Sequence, residues 1–348
     1  MSMKKLAVLV PSYNATSTLE GTLRAILALG EELERHVDFV MLSDDGSTDD
    51  TVGLAERLWN HPAVPLRIRR VVKNGGEYRN VNGAFADMPS HIEWVLIMHA
   101  DNEPLPGWVD LLAREAERAG PEVASICGSW HAVENGRVVH WGDKRGPDFV
   151  EVIGGTPAAV RGTLFQGCWW HNSTAAIRVS AWKQIGGHPQ EMPLLRTFQI
   201  LGMSAPSDPP ERKIRLKGDW DSLLRMLSSG LSIRYIGHPL IRYIEVTTSV
   251  SGGAFAWHGD VIETLQILRR HQAALSFVDM LRLHGNSLKT LTRRLGGSLI
   301  RRHWRRLGYA LEALPMVLAS LLICTVRHIA GTRRETRAIP WNADRNEP

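Results

Sequence analysis

The sequence predicts an α/β protein: a Rossmann-like, mostly parallel central sheet flanked by helices, followed by a helical extension. Three observations carry this reading. Short apolar runs alternate with helical patterns through the first hundred residues, each run ends in a polar cluster, and the chain turns helical and arginine-rich after about Asp260. Alternation of this kind marks βαβ units and a parallel sheet.

The elements follow in order. An apolar strand over residues 6–10 precedes a helical pattern over 19–29. A second strand at 39–42 precedes a helix over 51–59, and a third at 66–72 precedes one over 81–86. A fourth at 94–98 leads to a segment starting near Gly107. In a doubly wound sheet ligands bind beyond the carboxyl ends of the strands. Those ends carry Pro11-Ser12-Tyr13-Asn14, Ser43-Asp44-Asp45-Gly46-Ser47-Thr48-Asp49-Asp50, Lys73-Asn74-Gly75-Gly76 and His99-Ala100-Asp101-Asn102. Residues 122–242 mix periodicities and tryptophans and read as the substrate half, and the proline-rich stretch 187–216 has the length of a lid or of a disordered loop. We divide the chain into a catalytic domain at 1–258, with a nucleotide-binding half at 1–121 and an acceptor-side half at 122–258, and a basic extension at 259–348.

Composition sets the class. The 348 residues are 44% hydrophobic and 22% charged, which excludes disordered, collagenous and disulfide-scaffold chains. The net charge of +5 is uneven: residues 260–348 carry 15 basic and 7 acidic side chains, and residues 1–259 carry 26 and 29. The basicity therefore belongs to the extension, where it accompanies apolar stripes rather than a reading motif, so a nucleic-acid partner is not expected. Three scattered cysteines give no disulfide framework, and the first apolar run is too short for a signal peptide; a cytoplasmic location is the expectation.

Paired carboxylates at Asp44 and Asp45, before a glycine turn, suit the donor groups of a base or ribose, while Thr48 or Asp49 suits capping of the next helix. Asp101, at the end of a stiff strand, suits a hard cation such as Mg²⁺ or Mn²⁺. His99, two residues earlier, either joins it or hydrogen-bonds elsewhere. Arg79 follows a glycine loop at a helix start, as a clamp or as a salt-bridge partner. No dinucleotide or P-loop glycine motif occurs. Asp219 opens a helix beside Trp220, where it is either a cap or a general base next to a sugar-stacking ring.

In this order the motifs resemble glycosyltransferase family 2, with the GT-A fold, over about residues 4–250. Val10-Pro11-Ser12-Tyr13-Asn14 is similar to the family's first strand and turn, and Asp44-Asp45-Gly46-Ser47-Thr48-Asp49 to its nucleotide-contacting motif. Asn74-Gly75 with Arg79-Asn80 and Gly83 is similar to its Asn-Gly/Arg-Asn-x-Gly segment. His99-Ala100-Asp101 resembles its DxD, with His99 in place of the first acid. Gly218-Asp219-Trp220-Asp221 with Arg225 resembles its Glu-Asp-x-Asp-Leu-x-x-Arg motif, with Gly218 in place of the Glu. No Gln-x-x-Arg-Trp follows, which argues against a processive synthase.

The resemblance implies inverting transfer of one sugar from a nucleotide-diphosphate sugar to an acceptor hydroxyl, in polysaccharide, O-antigen or lipid-linked glycan assembly. It implies donor contacts from Pro11, Tyr13, Asn14, Asp44, Asp45, Asn74, Arg79, Ala100 and Asp101, and a divalent metal on Asp101, joined by His99. Asp219 becomes the catalytic base, and Trp169, Trp170, His171, Asn172, Trp220 and Asp221 line the acceptor side. A sugar-nucleotidyltransferase and a non-catalytic nucleotide or glycan binder are the alternatives. The stretch 307–326 reads as interfacial, packed or spanning, and residues 285–337 as a surface for an anionic membrane on its cytoplasmic face.

Overall fold

The structure, a computed structural model, describes residues 5–134, 136–141, 143–189, 217–244 and 259–331. Most of the expected lid stretch, residues 190–216, lies outside the described residues, as do the arginines after Gly331.

The first half is built as the periodicity requires. Strands β1 (Leu6–Ser12), β2 (Val37–Asp44), β3 (Leu66–Arg70) and β4 (Trp94–Ile97) alternate with helices α1 (Leu19–Leu27), α2 (Glu31–His36), α3 (Thr51–Leu58) and α4 (Glu77–Ala86). They pair in parallel in the order β3-β2-β1-β4. β1 is buried on both faces. Ala7 and Leu9 point into one core with Val81, Phe85 and Leu223, while Leu6, Val8 and Val10 point into another with Leu19, Leu23 and Ile26. Its continuous apolar run is what a central parallel strand needs. Pro11 is tolerated because pairing with β4 stops at Leu9, leaving β2 as its remaining neighbour.

Helix α5 (Trp108–Glu117) follows β5 (Glu103–Pro104). Then come β6 (Val123–Glu134), β7 (Arg137–Trp141), β8 (Val150–Ile153), helices α6 (Pro157–Gln166) and α7 (Val179–Ile185), and β9 (Ala175–Arg178). β9 runs antiparallel to both β4 and β6, joining the parallel half to β6 and β10 (Ser232–Ile244). A short 3₁₀ turn, Asn172–Thr174, precedes β9, and helix α8 (Gly218–Ser228) precedes β10.

Beyond β10 lie α9 (Gly259–Arg270), α10 (Phe277–Ile300) and α11 (Trp304–Ile329). Helix α9 faces two ways: Ile267 and Leu268 join the core under α8, and Val261 and Leu265 join a third core with Leu291, Ala313, Met316 and Val317. A capping box of Ser276 and Asp279 starts α10. Asp279 also takes Arg161 Nη2 at 2.6 Å, tying the extension to α6.

Candidate active site

The first three strand ends are locked to one another by short side chains. Asn14, at a φ of 48°, accepts the Thr48 N–H at 2.8 Å and donates its own N–H to Ser47 Oγ at 2.9 Å. Asp49 accepts the Thr16 hydroxyl at 2.8 Å and the Thr51 N–H at 3.1 Å, while the N-cap position of α3 is Asp50. Asp44 is fully buried, accepts the Ser47 N–H at 3.0 Å and lies 3.4 Å from Arg70 Nε. Asp45 is also buried, and its two oxygens accept the N–H groups of Gly75 and Gly76 at 3.0 and 2.7 Å. The two carboxylates thus hold the turns in register. Asn80, on α4, donates to the Ser43 carbonyl at 2.7 Å and fixes that helix against β2.

Helix α4 begins at Glu77, four residues before the expected start, because Gly76 enters it at a φ of 89°. That extra turn carries Glu77 and Tyr78 into the cleft. Glu77 Oε1 lies 3.0 Å from His99 Nε2, and His99 Nδ1 lies 2.7 Å from Ser173 Oγ. Asn102 Nδ2 donates to the same hydroxyl at 3.1 Å. Burial works against a charged His99 ring, but Glu77, with Asp101 and Asp219, lifts its pKa to about 9. The neighbouring His171, buried and repelled by His99, is pushed down to about 3 and is neutral.

Asp219 sits in the first turn of α8 and accepts Asn172 Nδ2 at 2.7 Å. Burial first, and the Glu77 carboxylate second, raise its pKa to about 7 against the pull of His99 and Asn172. Helix α8 starts without a side-chain cap. His188, buried and neutral, holds its Nε2 3.9 Å from Asp219, stacks on Tyr78 at 4.4 Å between ring centroids, and approaches Ser222 Oγ at 3.0 Å. Gly218 donates its N–H to the Tyr78 hydroxyl at 2.8 Å. A Cβ at Gly218 would fall 2.2 Å from the Tyr78 ring, so that ring fills the space where the family motif carries a glutamate side chain.

The structure corrects part of the expected set. Trp170, Trp220 and Asp221 do not face the cleft. Trp170 is buried in the core and donates to Ser125 Oγ at 2.9 Å, and Trp220 is packed in the same core. Asp221 is buried between Arg225 Nε at 2.7 Å, His271 Nε2 at 3.0 Å and Arg270 Nε at 3.3 Å. Arg225 in turn donates to the carbonyls of Ile185 and Gly187. This group anchors α8 to α7 and α9. Trp169 is half-buried beside Tyr235, at 6.1 Å between centroids. Pro11 and Ala100 are buried, Asn74 is half-buried, and Tyr13 and Arg79 are exposed on the same strand-end face. Glu77, Tyr78, Ser173 and His188 were not singled out from the sequence, although Glu77 and Tyr78 stand inside the glycine-loop motif.

A divalent cation fits Asp101 and not His99. Both ring nitrogens of His99 are taken, by Glu77 at 3.0 Å and Ser173 at 2.7 Å. Asp101 is a carboxylate whose charged form is disfavoured by burial and by Glu77, a setting that a cation shared with donor phosphates relieves. Among the described residues no three His, Cys, Asp or Glu side chains converge as a protein-only cage.

Residues 7–176 match the family model described as Glycosyl transferase family 2. Two curated relatives are both named undecaprenyl-phosphate 4-deoxy-4-formamido-L-arabinose transferase. The one from Sodalis glossinidius (strain morsitans) is 22% identical over 142 residues, 40% of this chain and 43% of the relative. The one from Pseudomonas syringae pv. syringae (strain B728a) is 24% identical over 124 residues, 36% of each. The chain thus spans about two fifths of the relatives it matches. Among solved structures, S. aureus TarS 1-349 in complex with UDP superposes with a TM-score of 0.52 at 17% identity, covering 96% of this chain and 90% of that one. The mannosyltransferase PcManGT from Pyrobaculum calidifontis, in complex with GDP-Man and Mn²⁺, gives 0.53 at 17%, covering 94% and 88%. These two likenesses establish the fold. The strands and turns that build the cleft are those that the match to glycosyltransferase family 2 spans.

Proposed function

We propose that the chain transfers one sugar from a nucleotide-diphosphate sugar to an acceptor hydroxyl with inversion, Asp219 acting as the base. The observation that carries this is the Asn172–Asp219 contact of 2.7 Å at the mouth of the strand-end cleft, on a carboxylate whose pKa stands at about 7. A base is most effective when its pKa lies near the working pH. Asp219 takes the acceptor proton as the hydroxyl oxygen bonds to the anomeric carbon, and the bond from that carbon to the diphosphate breaks with its electron pair leaving on phosphate. Asn172 orients the carboxylate, and neutral His188 backs it without competing for the proton.

Asp44 and Asp45 hold the turns on which Pro11, Tyr13, Asn14, Asn74 and Arg79 meet the nucleotide, and Ala100 and Asp101 meet the diphosphate. A divalent cation on Asp101 would neutralise charge developing on the leaving group. The charged His99 adds a fixed positive charge to the same cleft. His171, Asn172 and Trp169 remain as the acceptor side.

The names of the two curated relatives, together with the basic extension, support a lipid-linked acceptor and work at the cytoplasmic face of a membrane, with residues 1–258 catalytic and 259–348 the attaching part. The test is a thermal-shift screen of UDP- and GDP-sugars with Mg²⁺ or Mn²⁺, since a specific donor stabilises the fold by mass action, followed by transfer of labelled sugar. Donor binding with no transfer to the hydroxyl of any lipid-linked glycan acceptor would refute the reading.

A further inference from the structure

Helix α11 is apolar on two opposite faces. Ala310, Ala313, Met316, Val317, Ser320 and Cys324 are buried against α9 and α10 along its whole length, and Ser320 Oγ lies 3.0 Å from His284 Nε2 of α10. The other face is open. Trp304, Leu311, Leu318, Leu322, Val326 and Ile329 are between 54% and 79% exposed. Their spacings of seven, seven, four, four and three put all six on one narrow stripe of a helix. At the α10–α11 corner Leu299 and Ile300 are exposed beside Arg301 and Arg302. The outward face of α10 adds exposed Arg282, Lys289 and Arg293. From Phe277 to Gly331 there are nine lysines and arginines and two acids.

Resting on the membrane-face reading above, we infer that α11 lies in the plane of an anionic bilayer, its Trp304–Ile329 stripe sunk among the lipids and the α10–α11 corner arginines on the headgroups.

The charge pattern chooses this occupant. An apolar stripe that starts at a tryptophan beside a corner of arginines suits an interface in which tails and anionic headgroups are both within reach. A second copy of the chain with its α11 parallel to this one would bring two arginine-rich corners together. By length and composition α11 could cross a membrane, but its buried face is fixed to α10 and α9. Crossing would carry Arg282, Lys289, Arg293 and the Asp260–Arg294 pair, at 2.8 Å, into the hydrocarbon, which charged side chains resist. Arg270, the last residue of α9, and His271 just after it hold Asp221 two residues beyond the proposed base. The cleft and the stripe therefore belong to one packed assembly, and in-plane docking sets the cleft at a fixed height over the lipid surface.

The test is flotation of the full chain with vesicles of equal parts phosphatidylglycerol and phosphatidylcholine, and with phosphatidylcholine alone. Binding is expected to the anionic vesicles, to be released by alkaline carbonate, and to weaken about tenfold or more in Leu318→Glu/Leu322→Glu. Size exclusion and the donor thermal shift, unchanged in that variant, show that fold and donor site are intact. Resistance to alkaline extraction would establish a span. A wild-type dimer made monomeric by the variant, with no flotation, would assign the stripe to a second copy. Either result overturns the inference, and neither bears on transfer to a soluble acceptor analogue, which tests the catalytic reading separately.

Discussion

The Tyr78 hydroxyl accepts the Gly218 N–H at 2.8 Å while the Tyr78 ring occupies the place of any side chain at position 218. Tyr78 is on the extra first turn of α4 and Gly218 begins α8, so one contact joins the nucleotide-side helix to the helix that carries Asp219.

Replacing Gly218 by alanine forces these two helices apart. Overpacking of this kind typically costs about 1–3 kcal/mol, and urea unfolding should show a loss in that range. Tyr78→Phe keeps the ring and loses the hydrogen bond, at about 1 kcal/mol. Gly218→Ala should also lower turnover more than donor affinity, because it displaces Asp219 and leaves Asp44 and Asp45 in place.

Turnover should rise with pH through about 7 and then level, as Asp219 loses its proton. Asn172→Ala removes a bond that favours the carboxylate, and its profile should shift to higher pH. Asp219→Asn should abolish transfer with donor binding nearly intact. The sign for stability is opposite to that for activity. A folded-state pKa raised above the unfolded value costs stability as pH rises from the unfolded carboxylate range to about 7. Asp219→Asn should therefore melt higher than the parent above neutrality, by calorimetry at matched pH.

Asp221 differs in kind from Asp219, although only Trp220 separates them. Arg225, His271 and Arg270 overcome its burial and hold its pKa far below the usual carboxylate range. Its contribution is complete above the unfolded value and is lost as pH falls toward the folded one. Asp221→Ala leaves Arg225 buried without its counter-charge, a change worth about 3–5 kcal/mol. Urea unfolding at neutral pH should show that loss, and the variant should lose its donor thermal shift only where it is unfolded.

The parallel half of the fold was legible because central strands demand uninterrupted apolar runs, and residues 6–10 and 94–98 supply them. The strands were legible only as far as β4; β9 enters the sheet from a distant segment and its four residues carry no pattern of their own. The same physics divides the site. Asp44, Asp45, Asp101 and Asp219 follow strand ends or open a helix, where position alone points to a role. Trp220 and Asp221 share that local context, yet only tertiary packing reveals that α8 turns them into the core. Glu77 was hidden because its partner His99 lies 22 residues away, a distance no local period spans.

The metal reading is decided at His99 and Asp101. If the Glu77–His99–Ser173 chain keeps both ring nitrogens engaged, His99→Ala should leave Mn²⁺ affinity in the presence of donor unchanged while lowering turnover. Asp101→Ala should abolish that affinity. Manganese titration by electron paramagnetic resonance with bound UDP separates the two residues without relying on activity. Loss of Mn²⁺ binding in His99→Ala would return the imidazole to the ligand set and break the assignment of its proton to Glu77.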